Sequence, residues 1–256
     1  MPIPALRPRL AREGIFNARD LGGLVAADGR SVAPRRIVRA DSLHRARSTG
    51  RELRDYGVVR VLDLRDERER DEDGVLDADG IEVLHHPVLD PTFEWFADDH
   101  AEPAELLGHR YRQILTSFPD RFTDAFGSVV EVVAAPGGTG AVAYHCAVGK
   151  DRTGLLTALL LGALDVPDDV IVADYALSAR ATAVQVGWLW SFGHPAGQVS
   201  DIDLEPGVWS ARPATMISTL QWLRDEYGGP EGYLLDSGVA ADALDELRAA
   251  LLVAAD

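Results

Sequence analysis

The only cysteine of this sequence stands at the start of a short loop whose composition suits the binding of an anion. The loop covers residues 146–154 and reads CAVGKDRTG, with an arginine six residues after the cysteine. The apolar residues 141–144 before it predict a short buried strand, and the Leu- and Ala-rich residues 155–164 predict a buried helix. A tight loop at a helix N-terminus points several backbone N–H groups into one concavity, and the helix dipole adds positive potential there. We therefore expect a phosphate group to bind in this loop.

Cys146 and Arg152 are the two side chains that give the loop its predicted chemistry. The planar guanidinium of Arg152 matches two phosphate oxygens at once. The positive potential of the loop favours the thiolate of Cys146, which is the nucleophilic form. A thiolate beneath a bound phosphate can attack phosphorus in line and form a phosphocysteine intermediate. The loop thus predicts the hydrolysis of phosphate monoesters.

Backbone N–H groups and a hydroxyl complete the predicted site. The residues expected to bind the phosphoryl group are Ala147, Val148, Gly149, Lys150 and Arg152. Thr153 is expected to donate its hydroxyl to the sulfur of Cys146 and so to ease its departure. A nucleotide-binding P-loop is excluded, because that pattern needs Ser or Thr after the lysine, where Asp151 stands.

The loop resembles the signature loop of the cysteine-based protein tyrosine and dual-specificity phosphatases. Its Lys-Asp pair before the arginine is most similar to the bacterial branch typified by a secreted mycobacterial tyrosine/lipid phosphatase. Weaker matches at residues 17–23, 169–175 and 227–234 extend the resemblance from about residue 14 to the C-terminus. An α/β fold is expected, with a central, mostly parallel sheet flanked by helices and the nucleophile at the carboxyl end of a strand. The resemblance also favours a helical lid over residues 181–211, although its aromatic side chains could equally be core residues of a helical hairpin.

The general acid is the least determined part of the site. Many tyrosine phosphatases use the Asp of a Trp-Pro-Asp loop, but no tryptophan of this sequence is followed by Pro-Asp. The resemblance implies Asp151 as the first candidate, and Asp90, after the strand predicted at residues 81–89, is the second. Asp151 could instead be an ion-pair partner of the basic residues beside it.

The substrate range rests on Lys150 and on the resemblance. The 25 basic residues are 24 Arg and this one Lys, which indicates a place where a compact ammonium is needed. The resemblance implies hydrolysis of phosphotyrosine, with phosphoserine, phosphothreonine and phosphoinositides as further substrates that Lys150 could contact beyond the scissile phosphate.

Three other functions are alternatives to phosphate monoester hydrolysis: arsenate reduction, sulfur transfer and the binding of a phosphorylated ligand without catalysis. An arsenate reductase normally needs further cysteines, which the sequence lacks, and a sulfurtransferase needs a persulfide. A catalytically idle module that only binds a phosphorylated ligand would not need cysteine, arginine and threonine together.

Length and composition indicate one domain over residues 1–256, with an extended N-terminal arm at residues 1–13, and the resemblance implies that this is a phosphatase domain. The net charge of −16 argues against nucleic acid and against stable residence on an anionic membrane, so the expected partner is a phosphorylated protein or phospholipid. One cysteine suits a reducing compartment, and residues 1–4 begin no apolar signal segment. We expect a cytoplasmic enzyme, with signal-independent export and the oligomeric state left open.

No cofactor or metal is expected. His85 and His86 are adjacent residues of a predicted strand and so point to opposite faces, and no spaced His or Cys pair completes a metal site.

The remaining elements follow from patterning. Thr49 with Glu52 predicts a capping box for a helix ending near Tyr56, and the apolar run 58–64 predicts a central parallel strand. The acidic run 66–73 is interpreted as a solvated face without function. Further helices are predicted at residues 103–117, 120–135, 170–180, 212–227 and 239–254.

Overall fold

A computed structural model describes residues 10, 14–45, 49–93, 103–191 and 210–255 of the chain. The N-terminal arm predicted at residues 1–13, apart from Leu10, lies outside the described residues, and so does the part of the predicted lid from 192 to 209.

The described strands are β1 Arg19–Asp20, β2 Ser31–Val32, β3 Ile37–Ala40, β4 Val58–Asp63, β5 Glu82–His85, β6 Ala141–His145 and β7 Leu252–Val253. A five-stranded sheet with the order β1-β3-β6-β4-β5 forms the centre of the described structure. Its neighbouring strands are parallel except for β1 and β3, which are antiparallel. A second, two-stranded antiparallel sheet joins β2 to β7. The predicted α/β fold with a mostly parallel central sheet is therefore confirmed.

Helices cover the sheet and form the C-terminal part of the described chain. They are α1 Thr49–Tyr56, α2 Glu67–Asp73, α3 Pro103–Ser117, α4 Pro119–Val133, α5 Asp151–Ala163, α6 Asp168–Ser191, α7 Pro213–Tyr227, α8 Pro230–Asp236 and α9 Ala241–Leu251, with a 3₁₀ turn at Leu43–Arg45.

Strand β6 is buried along its whole length, as a central parallel strand should be. Its side chains alternate between the two faces of the sheet. Val142 and Tyr144 belong to the large apolar core beneath the later helices, whereas Ala141 and Ala143 belong to a smaller core that includes Leu53 of α1. Burial on both faces fixes the end of β6, and the residue that follows this end is the cysteine.

Helices α5 and α6 depart furthest from their predicted bounds, and α8 was not predicted at all. Helix α5 begins at Asp151 instead of residue 155, so the basic end of the loop is itself the first helical turn. Helix α6 continues to Ser191, which makes residues 181–191 of the predicted lid the end of a long helix. Helix α8 was not predicted; it begins with Pro230 at its first position, directly after Gly229.

None of the helices in the described ranges is long and apolar enough to cross a lipid bilayer.

Candidate active site

Cys146 lies directly after β6, at the carboxyl end of the parallel strands. This is the edge at which open α/β sheets bind their ligands. The thiol is free and fully buried. Four residues separate it from Asp151, the first residue of α5, so the loop closes around a helix N-terminus with its unpaired N–H groups.

Gly149 shapes the loop, and no other residue type fits its position. Its backbone has φ +68°, a left-handed conformation that L side chains rarely adopt. A Cβ atom there would lie 2.5 Å from the carbonyl oxygen of Ala40. The glycine therefore lets the loop approach the end of β3 closely.

Side chains outside the loop bind four consecutive loop carbonyls. The Ser42 hydroxyl lies 3.2 and 3.1 Å from the carbonyl oxygens of residues 146 and 147 and can donate its one proton to either, while the Ser42 backbone N–H donates to residue 147 at 3.3 Å. The Asn17 amide donates to those of residues 148 and 149, at 3.0 and 2.9 Å, and Arg39 donates to residue 149 at 2.8 Å. In a planar trans peptide the N–H points opposite to the C=O. Because these carbonyls are bound from outside the loop, the N–H groups of residues 147–150 point into the concavity of the loop. This concavity, here called the cradle, can bind an oxyanion.

A buried ionic group supports the same loop. Arg19 and Arg39 both pair with Asp174 of α6, at 2.6 and 2.5 Å, and all three side chains are at most 1% exposed. Burial opposes ionisation of the carboxyl, but the two guanidinium groups lower the pKa of Asp174 below its ordinary value. Two cations against one anion leave a net positive charge beneath the loop, and this charge favours an anionic ligand. The weak matches at residues 17–23 and 169–175 thus belong to one supporting network.

The guanidinium of Arg152 is held by Glu69 of α2. NH2 of Arg152 lies 2.7 Å from Oε1 of Glu69, and NH1 contacts Oε2. The third nitrogen, Nε, is buried and has no hydrogen-bond partner among the described residues. Burial acts to lower the pKa of Arg152, but the hydrogen bonds to Glu69 and the charge of Cys146 raise it above its ordinary value. One edge of the fork is thus fixed while Nε stays available to a phosphate oxygen.

Glu69 holds the guanidinium of Arg152, a contact that sequence reasoning missed. The interpretation of the acidic run 66–73 as a solvated face fails for this residue, because its carboxylate is half-buried against Arg152. Its carboxylate also accepts from the backbone N–H of Asp66 in a capping box that starts α2. The Asp66–Glu69 spacing is typical of a helix start, but a contact across 83 residues of sequence leaves no local pattern.

We predict that Glu69→Gln lowers kcat/KM about tenfold or more, because it leaves the buried guanidinium without its counter-charge and loosens the phosphate-binding edge. Steady-state kinetics on an aryl phosphate would measure the loss. Glu67→Gln is the matched control, because Glu67 is an exposed residue of the same helix. Equal rates for the two variants would show that Glu69 does not position Arg152.

Asp151 and Lys150 lie side by side at the start of α5. The Tyr111 hydroxyl donates to Oδ1 of Asp151 at 2.7 Å, and Nζ of Lys150 lies 3.2 Å from the same oxygen. Lys150 is buried, with a 2% exposed side chain. The ammonium therefore contacts the carboxylate beside it, which is the ion-pair alternative that the sequence left open.

The other predicted side chains are those of Thr153 and Asp90. Thr153 is fully buried and its hydroxyl has no hydrogen-bond partner in the described part of the chain, so the predicted bond to the sulfur is not formed here. Asp90 is 43% exposed and accepts two hydrogen bonds from Thr92, which lower the pKa of its carboxyl below the ordinary value. No contact joins it to the loop among the described residues.

Within the described ranges, no group of three or more His, Cys, Asp and Glu side chains could hold a metal ion. The site is assembled from a thiol, a guanidinium and backbone N–H groups.

Comparison with known proteins places this sequence among phosphatases. Residues 10–253 match the sequence model of the tyrosine phosphatase family. The triple specificity protein phosphatase PtpB of Mycobacterium tuberculosis is 29% identical, over 93% of this chain and 97% of that protein. A tyrosine-protein phosphatase of Nostoc commune is 34% identical, over 55% of this chain and 52% of its own length. The solved structure of P. aeruginosa TpbA aligns with a TM-score of 0.31 at 16% identity, over 58% of this chain and 72% of that one, a similarity too low to support an inference.

Proposed function

The chain belongs to the tyrosine phosphatase family, and from this premise we propose that Cys146, Arg152 and Asp151 carry out phosphate monoester hydrolysis through a phosphocysteine intermediate. The observation that carries this proposal is the binding of four consecutive loop carbonyls from behind, between the nucleophile and the arginine. Such a cradle offers preorganised N–H donors to the phosphoryl oxygens, in a site where charge is stabilised without reorganisation.

The first step transfers the phosphoryl group to sulfur. The thiolate of Cys146 attacks phosphorus, the S–P bond forms, and the P–O bond to the leaving group breaks. The leaving oxygen takes the bonding electron pair and a proton from Asp151. Arg152 and the loop N–H groups bind the equatorial oxygens, whose charge dominates a loose transition state.

The second step releases phosphate. The carboxylate of Asp151 accepts a proton from a water molecule as the water attacks phosphorus. The S–P bond then breaks and its electron pair returns to the sulfur. Thr153, whose hydroxyl is buried and unpaired among the described residues, is a suitable donor to that sulfur.

Phosphotyrosine is the proposed principal substrate, in keeping with the family. The name of the mycobacterial relative motivates testing phosphoserine, phosphothreonine and phosphoinositides as further substrates. We propose residues 1–256 as one phosphatase domain that acts in a reducing, cytoplasmic compartment on phosphorylated proteins or lipids.

An acid quench during turnover tests the mechanism. Mass spectrometry of the quenched protein should find one phosphoryl group on the peptide that contains Cys146. An arsenate reductase, a sulfurtransferase or an idle binding module would give no such adduct. A fully active preparation that never shows it would contradict the phosphocysteine step.

We predict that Asp151→Asn slows phenyl phosphate hydrolysis about a hundredfold or more, within the range typical of general acid catalysis, and 4-nitrophenyl phosphate hydrolysis far less. The activated phenolate departs without protonation, whereas phenolate does not. Asp90→Asn is the comparison variant and should show a weaker dependence on the leaving group. A stronger dependence for Asp90→Asn would assign the acid role to Asp90 instead.

A further inference from the structure

We propose that Tyr111 and Tyr175 are positioning residues that hold one oxygen of Asp151 through a chain of hydroxyl groups, so that the catalytic proton is carried by the other oxygen. This inference rests on the proposed function, in which Asp151 is the general acid. It adds two residues outside the signature loop to the reaction.

The two tyrosines come from different helices and meet at one point. Tyr111 lies on α3 and Tyr175 on α6, and both are fully or almost fully buried. Their hydroxyl oxygens are 2.8 Å apart, and their rings pack edge to face with centroids 6.2 Å apart. The Tyr111 hydroxyl lies 2.7 Å from Oδ1 of Asp151. The arrangement is a continuous path from α6 through α3 to the start of α5.

The direction of this chain follows from the number of protons. A phenol has one O–H, and Tyr111 donates its proton to the carboxylate. The proton between the two tyrosines must then come from Tyr175, so Tyr175 donates to Tyr111 and Tyr111 donates to Asp151. Burial raises the pKa of both phenols above the ordinary value, which keeps both groups as protonated donors.

Oδ1 of Asp151 has a second close neighbour. Nζ of Lys150 lies 3.2 Å from it, so an ammonium and a phenol both direct protons at this one oxygen. An oxygen that faces two donors is a poor place for a third proton, because the added O–H would face the other protons. No hydrogen-bond donor contacts Oδ2 among the described residues. When Asp151 is protonated, the proton is therefore on Oδ2.

This placement assigns the two oxygens different tasks. Oδ2 gives its proton to the leaving oxygen as the P–O bond breaks, and Oδ1 remains bound to the hydroxyl chain throughout. The negative charge that then develops on the carboxylate is stabilised by the Tyr111 hydroxyl and the Lys150 ammonium. In the second step Oδ2 takes a proton back from the attacking water. The chain itself loses and gains no proton.

The test compares Tyr111→Phe with the parent enzyme on two substrates. Removing the hydroxyl should lower kcat for phenyl phosphate about tenfold, the size of one hydrogen bond to a charged group. The loss on 4-nitrophenyl phosphate should be several times smaller, and the inhibition constant of inorganic phosphate should not change. Tyr233→Phe is the matched control, since its buried hydroxyl donates to the Leu115 carbonyl of the same helix α3 and does not reach Asp151. It should show no dependence on the leaving group.

A double variant separates this inference from the proposed function. In the Asp151→Asn background, Tyr111→Phe should add no further dependence on the leaving group, because the acid is already absent. If Tyr111→Phe lowered kcat equally on both substrates, or on neither, the hydroxyl chain would be overturned. The acid role of Asp151 would still stand if Asp151→Asn slowed phenyl phosphate hydrolysis selectively. An Asp151→Asn variant without selectivity would overturn the acid role and this inference together. Tyr175→Phe removes only the hydroxyl that donates to Tyr111, so it should lower kcat for phenyl phosphate selectively but by a smaller factor. It replaces Tyr111→Phe in the test if that variant does not fold.

Discussion

Cys146→Ser is expected to reduce turnover by at least about ten-thousandfold, because a serine hydroxyl is not ionised near neutral pH and cannot replace a thiolate as nucleophile. Substrate binding should persist. The proposed phosphate-binding groups are mainly backbone N–H groups of the loop, whose carbonyls are bound by Asn17, Arg39 and Ser42, and the substitution changes none of these side chains.

Two measurements on this variant check the expectation. Turnover of an aryl phosphate should fall to the background rate, and calorimetry with a phosphotyrosine peptide should still detect binding. Ala173→Ser is a suitable control, because it adds a hydroxyl at an exposed position of α6 and keeps the thiol. Appreciable turnover by a pure Cys146→Ser preparation would contradict the phosphocysteine mechanism.

The signature loop could be predicted because its parts are contiguous in sequence. Cysteine, glycine and arginine fall within one strand, one turn and the first helical turn, so local spacing alone places them around one point. The buried positions of β4 and β6 could be predicted as well, because their apolar runs are typical of buried parallel strands.

The residues that control the loop could not be predicted in this way, because they come from distant elements. Glu69 and Tyr111 reach it from α2 and α3, across 83 and 40 residues of sequence. Each looked ordinary in its own segment, Glu69 as one acidic residue in a run and Tyr111 as an apolar position of a helix. Their contacts depend on how the helices pack on the sheet, which periodicity does not specify.

Lys150 shows the same limit. As the only lysine it invited a role at the substrate, yet the structure places its ammonium against Asp151 and buries it. A compact ammonium suits that position, because a guanidinium is larger and planar. Any contribution of Lys150 to phosphoinositide hydrolysis would require it to contact both the carboxylate and the substrate.

Arg152→Lys is expected to lower kcat/KM by about two to four orders of magnitude, although it preserves the charge. The two terminal nitrogens of the guanidinium bind Glu69, and Nε is left for the phosphate. A lysine ammonium is a compact point charge and cannot bind the carboxylate and the phosphate in this way. The nearby carboxylate of Glu69 would attract the ammonium away from the substrate. Losing two charge-assisted hydrogen bonds of about 1.5–3 kcal/mol each gives a loss of this size.

The control for this variant is Arg60→Lys. Arg60 also binds two carboxylates, those of Glu82 and Glu131, and among the described residues it has no contact with the loop. Replacing it should leave kcat/KM nearly unchanged. A near-normal kcat/KM for Arg152→Lys would show that Arg152 does not contact the phosphoryl group. If Glu69→Gln partly restored the activity of Arg152→Lys, it would confirm that the carboxylate competes with phosphate for the ammonium.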